Sequence, residues 1–424
     1  MISTLRRIAL WTGGIIGLIA LIAVLRSNAG SSRLQKRLDA IRAAGLPTNA
    51  RELEHWIGTV PPEENGVPAL LAASDSRTLD AAALDRIHAA LQFPHFRYPS
   101  VVTNGSAGFQ ISYLGQVKTV ANALSADANL AARKHNATLA ALRLQDGVSL
   151  GSTLDDEGLL TSYLVRIACD AIAVTATEGV MTQIALDGPQ LESLQGQFQR
   201  AHGGNVFAHA MIGERAFGSD SFERNPRETA AWVFASHFDS MSIPSSGAWL
   251  VGNMLGGAFV MSGMMKADHD HYLEGMDRLI TLAPRLNPSG RAALDALDTE
   301  LHRSSASRIH PVSTTVLPAN AKALLTEFRH VATLRCAQTA CAIERFRRNH
   351  AEQLPGTLDA LVPAYLSKAP EDPMDGHPLK FRKLPAGYVV YSIGSDGTDD
   401  GGVSFANRPR NSKGGWDYTF TVGR

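Results

Sequence analysis

Ile8 to Leu25 forms a run of 18 residues without a charge, rich in Ile and Leu. Lipid offers no partner to a peptide group, so a run of this kind reads as a helix that satisfies its own backbone. At 1.5 Å per residue it reaches about 27 Å, enough for the hydrocarbon core of a bilayer. Arg6 and Arg7 precede it and Arg26 closes it. Arg33, Lys36, Arg37 and Arg42 blur the charge asymmetry, but the roughly 400 residues that follow would translocate largely regardless of it. The expectation is a single span, amino terminus in the cytoplasm and body outside. Cleavage as a signal peptide is the rival, because Ser27-Asn28-Ala29 resembles a small-x-small site. Against it, the run exceeds the usual apolar core of such a peptide, and Arg26 stands between run and site.

The rest has the composition of a globular body. Hydrophobic residues at 45% exclude wholesale disorder and a multi-span membrane protein. Basic and acidic side chains balance at 40 each, so no global field draws nucleic acid, and no local basic cluster replaces it. Three cysteines make neither a disulfide framework nor a zinc site. Cys336 and Cys341 point about 140° apart on a helix and cannot bridge. Either could pair with Cys169 in an oxidising compartment, or all three could be small core residues. A second uncharged stretch, Met241 to Met265, holds Pro244, Gly247, Gly252, Gly256, Gly257 and Gly263. These weaken a spanning helix, so burial inside the fold is expected.

Apolar spacing predicts helices over Leu34–Ala44, Ala50–Ile57 and Val67–Ala73, then a helical region from Gly115 to about Gln199. Leu114, Val117, Val120 and Leu124, then Leu130, Leu139 and Leu142, repeat every three or four residues. Thr153 followed by Asp155, Asp156 and Glu157 reads as the capped start of the next helix, with Leu159, Leu160, Leu164 and Ile167 on its buried stripe. Ala267–Leu282 and Ser289–His302 continue the pattern, and no fixed period supports a solenoid.

The carboxy-terminal hundred residues change character. A long helix over about Asn320–His350 is followed by a short one at Leu358–Val362 and extended pieces at Pro378–Lys383, Tyr388–Ile393 and Trp416–Val422. In the last, Trp416, Tyr418, Phe420 and Val422 fall on one face and Asp417, Thr419 and Thr421 on the other. The fold class expected is a mainly α extracytoplasmic domain (30–318) of helical hairpins plus a small α+β domain (319–424).

The order of Ala342-Ile343-Glu344-Arg345-Phe346-Arg347, Leu354-Pro355, Leu361-Val362-Pro363, Pro370-Glu371-Asp372-Pro373, Tyr391-Ser392-Ile393-Gly394-Ser395-Asp396-Gly397 and Asp399-Asp400-Gly401-Gly402 resembles the periplasmic domain of type II secretion major pseudopilins. The resemblance covers about residues 319–424; the whole chain looks similar to bacterial envelope proteins that end in such a domain. It implies a place in the bacterial inner membrane with the body in the periplasm, and another envelope protein as partner. Two departures speak against a pilus role. Nearly 300 residues separate the apolar run from the long helix, and no prepilin-peptidase signature surrounds Gly13-Gly14.

Asp396-Gly397-Thr398-Asp399-Asp400-Gly401 places oxygens at alternate positions with a glycine at the sixth, as in the first half of a calcium loop. The twelfth position is Asn407 rather than Glu, so it is no EF-hand. Similar pseudopilins bind calcium in the corresponding loop, which implies Asp396, Asp399 and Asp400 as metal ligands here. A hairpin turn made of the usual turn formers is the competing reading.

Other chemistry is thin. Gly147-Val148-Ser149-Leu150-Gly151 has the spacing of a nucleophile elbow, but helix on either side makes it a chance match. Asp268-His269-Asp270-His271 with Glu274 could share a helical turn as metal ligands; a solvated helix face is expected instead. Glu214 beside Arg215 reads as a structural ion pair. With no catalytic constellation, the expected function is binding or scaffolding at the envelope. The alternative is a periplasmic hydrolase with its site in the helical domain.

Overall fold

The computed structural model describes residues 30–75, 78–99, 111–239, 245–305, 310–404 and 416–424; the apolar run 8–25 and Asn407 lie outside them. The described chain is mostly helical, with one small antiparallel sheet. Helix α1 covers 30–43, followed by α2 (Ala50–Ile57), α3 (Val67–Ser74) and α4 (Ala81–Ala90). Next come α5 (Tyr113–Arg133), α6 (Ala137–Ser152), α7 (Leu160–Gln183) and α8 (Gly188–Ala201). Then follow α9 (Val206–Arg224), α10 (Pro226–Asp239), α11 (Ser245–Met261), α12 (Met264–Leu282), α13 (Pro288–Ser305) and α14 (Pro311–Asn349).

Thr153 does not open α7 as the acidic run after it suggested. It closes α6, its hydroxyl donating to the Leu150 carbonyl, and a 3-10 turn at Asp155–Glu157 intervenes. The reason lies in Glu157, whose buried carboxylate accepts from the Tyr98 backbone and the Tyr113 hydroxyl and so is spent on α5 rather than on a helix start. Leu164, expected in the buried stripe, is exposed.

Helix α14 is the spine. Its 39 residues extend about 58 Å. Val312, Leu317, Leu324 and Phe328 on its first half pack with α9, α12 and α13. Leu334, Cys336, Ala340 and Ile343 on its second half pack with α6, α7, α8 and the sheet. All three cysteines are buried with free thiols, Cys169 in a different cluster from Cys336 and Cys341.

Strands β1 (Lys380–Lys383), β2 (Tyr388–Ser392) and β3 (Tyr418–Val422) are antiparallel in that order, with Phe381 opposite Val390 and Val390 opposite Phe420. Tyr388, Val390, Phe420 and Val422 turn toward α14. The end of β3 also docks on α7: the Thr421 N–H donates to Glu178 at 2.6 Å, and Arg424 reaches the Met181 carbonyl and the Glu344 carboxylate.

Among the described residues no single helix is long and apolar enough to cross a membrane; α11 and α12 pass together only as a pair bent by 86°. The uncharged stretch is not swallowed by the core as expected. Ala248, Gly252, Gly256 and Phe259 are buried, while Trp249, Leu250, Met254 and Met261 face outward. The glycines explain this division. A Cβ on Gly252 would stand 2.6 Å from the Ala231 carbonyl oxygen, and one on Gly256 2.7 Å from the Ala231 nitrogen. α11 therefore presses its small residues on α10 and leaves its large ones on the far side.

Candidate functional site

A large concave space builds up from α9. Gly213 brings that helix against the Asp155–Glu157 turn so closely that a Cβ would meet the Gly158 carbonyl oxygen at 1.6 Å. Five residues on, Gly218 makes room for the Tyr272 ring of α12, whose hydroxyl donates to the Glu214 carbonyl at 3.0 Å. Between α9, α10 and α12 a pocket of about 730 Å³ opens, walled by Phe217, Phe222, Trp232, Val233, Trp249, Tyr272, Val312 and Val316. Its polar groups are few: Glu214, Ser221, Asn225, Glu228 and Thr229.

Glu214 is the chemically unusual member. The expected pair with Arg215 does not form, because neighbours on a helix point about 100° apart. Arg215 instead bonds Asp277 at 2.6 Å. With no charge partner among the described residues, burial pushes the Glu214 carboxyl up to about 7. Below that pH it is a neutral acid able to donate a hydrogen bond into an apolar space.

Among the described residues lining this pocket, no nucleophile is hydrogen-bonded to a base. Ser219 and His269 do bond, Oγ to Nε2 at 2.7 Å, a pairing across 50 residues that local spacing does not reveal. Both are buried, Phe222 stacks on the imidazole, and neither lines the pocket. Burial holds the His269 pKa down at about 4, so the ring stays neutral.

The Asp268–Glu274 segment is not a solvated face. Asp268, His269 and Asp270 are buried and diverge to separate partners. Asp268 accepts from the backbone of Val312 and Ser313, Asp270 and Glu274 bond Arg37, and His271 bonds the Ser313 hydroxyl at 2.9 Å. Ser149 lies within α6, its hydroxyl accepting from Gln197 at 3.1 Å, so no strand-to-helix elbow presents it.

A buried polar network joins α7 to α14. Tyr163 donates to Glu327 at 2.9 Å, and His330 bridges Glu327 at 3.1 Å and Asp170 at 2.9 Å. Arg166 pairs with Asp155 at 2.6 Å and donates to the Ala201 carbonyl. Burial opposes a charge on His330, but Glu327 and Asp170 outweigh it and hold its pKa up at about 9. These contacts pin the two helices together, although the Asp170 Oδ1 is buried with no hydrogen-bond partner among the described residues.

The acidic loop has an organiser of its own. Asp417, just before β3, is buried, and its carboxylate accepts the N–H groups of Asp400, Gly402 and Val403, at 2.7 Å for Gly402. Asp396 and Asp399 each accept a backbone N–H two residues on, and Asp399 also takes the Tyr391 hydroxyl. Asp396, Asp399 and Asp400 are exposed. Among the described residues no three His, Cys, Asp or Glu side chains converge as a metal group. Set against known proteins, the chain matches no family model, no curated protein and no solved structure.

Proposed function

We propose that this chain is a membrane-anchored binding protein whose pocket between α9, α10 and α12 takes a single-chain amphiphile with an uncharged, oxygen-bearing head. The observation that carries the reading is the unpaired Glu214 carboxyl in the wall of an apolar pocket of about 730 Å³. That volume lies in the range of small-molecule sites, which combine apolar walls with a few polar groups that fix orientation. A neutral Glu214 donates to a hydroxyl or carbonyl oxygen; the ionised form has no charge partner among the described residues and disfavours an apolar guest.

The run 8–25 supports anchoring in the bacterial inner membrane, with the body in the periplasm. The pseudopilin-like tail supports docking on another envelope protein, with calcium at Asp396, Asp399 and Asp400 as part of that proposal. The turn bonds within the loop compete with a cation for the same oxygens.

The test uses N-phenyl-1-naphthylamine, an uncharged dye that brightens in apolar surroundings. Binding at pH 6 should be displaced by monooleoylglycerol and weaken as pH rises through 7. Glu214→Gln should remove that pH dependence, and Ser221→Trp, which fills the pocket, should abolish binding. Equal dye binding by the Ser221→Trp protein overturns the reading.

A further inference from the structure

The outward face of α11 carries information the pocket does not use. Its 17 residues contain no charge. Leu250, Met254 and Met261 are 64%, 70% and 84% exposed, and their spacing of four and seven places them on one face. Soluble surfaces rarely present so continuous an apolar strip without something to cover it.

What covers it is indicated by where the undescribed amino-terminal chain rejoins the body. Gly30 starts the described part of α1, and a Cβ there would lie 3.6 Å from that of Ala267 in the first turn of α12. Ala267 follows the exposed Met261 by six residues, across the Gly263 turn. Only three residues separate Arg26, which closes the apolar run, from Gly30, so four Cα-to-Cα steps set a reach of at most about 14 Å. If the run is in a bilayer, its exit point therefore lies beside the end of α11. The exposed charges nearest that exit in sequence, Arg33, Lys36 and Lys266, are all basic, as an anionic lipid surface requires.

We propose that the outward face of α11 lies in the interface of an anionic lipid bilayer, the same one that the run 8–25 enters. The inference rests on the anchoring reading and adds to it a second contact, which orients the body. Trp249 borders both this face and the rim of the pocket, so the pocket mouth opens at the lipid surface and its guest can be drawn from the bilayer. The strip is a docking helix rather than a span, because its other side is committed to α10 through Gly252 and Gly256.

The experiment reconstitutes the full chain into vesicles of phosphatidylethanolamine and phosphatidylglycerol with brominated acyl chains, which quench tryptophan on contact. Trp11 reports the run and Trp249 the α11 face. Replacing each by Phe in turn should remove a separate share of the quenching. Leu250→Glu with Met254→Glu, both at exposed positions, should abolish the Trp249 share and leave that of Trp11. Quenching of Trp11 without Trp249 overturns the docking proposal while the anchor stands. Quenching of Trp249 without Trp11 supports docking and removes the anchor, and quenching of neither removes both. A cross-link between cysteines placed at 18 and 254 would show the chain's own apolar run on this face, and would also overturn the proposal.

Discussion

The carboxylate of Asp268 accepts the backbone N–H of Val312 at 2.8 Å, so a residue of α12 caps the first turn of α14. His310, at the usual capping position, makes no such bond, and the Asp268 carboxylate supplies the missing acceptor for both Val312 and Ser313. Asp268→Ala would leave two buried donors without a partner. A loss of about 2–3 kcal/mol is expected, read from the urea midpoint, with Asp268→Asn intermediate.

The seam between α10 and α11 should tolerate no Cβ at Gly252. Gly252→Val drives a side chain into the Ala231 carbonyl and should cost about 1–3 kcal/mol by thermal melting. Gly257 is the control on the same helix: its Cβ would meet Arg227 at an ordinary 3.6 Å. Gly257→Ala should therefore be neutral or stabilising by up to about 1 kcal/mol.

His330 gives a pH dependence of definite sign. Its pKa is raised from an unfolded value near 6.5 to about 9, so the folded state binds the extra proton. The stability this contributes is fully present below the unfolded pKa and is lost as pH rises through about 9. Urea unfolding at pH 6 and at pH 9.5 should show His330→Gln costing more at the lower pH. An equal cost at both would show that the ring is neutral throughout.

Asp417 should matter more to the loop than the exposed acids do. Asp417→Ala strips an acceptor from three backbone N–H groups and should lower stability by about 2–3 kcal/mol, with or without EDTA. The calcium proposal has its own signature in the same melts. Added calcium should raise the melting temperature, and Asp396→Ala with Asp400→Ala should remove the rise. An unchanged curve would leave the loop a turn.

Elements whose signal is local were legible in the sequence. Ala50–Ile57 matches α2, and the three extended pieces of the tail correspond to β1, β2 and β3, because period and turn residues are written over a dozen positions. The site was not legible in that way. Asp268 and Asp417 have the composition of solvated acids, and what holds them in the interior is a set of backbone donors, 44 and 45 residues away for Asp268 and 14 to 17 away for Asp417. Glu214 was singled out for its neighbour Arg215, yet its character comes from Tyr272 and the aromatic walls that α10 and α12 bring to it. The outward turn of α11 follows from a small-residue seam whose partner lies on another helix, so hydropathy alone reads it as core.

The bond between the Thr421 N–H and Glu178 spans 243 positions. Those 243 further residues must leave the ribosome before α7 is covered along that edge, and Phe420 and Val422 arrive at the same late moment to seal the second half of α14. Helices made early thus wait on a strand made late. A copy truncated before residue 418 would carry the finished helical body with its floor missing, and such a copy should be recognised and degraded as a misfolded product rather than persist as a smaller working protein.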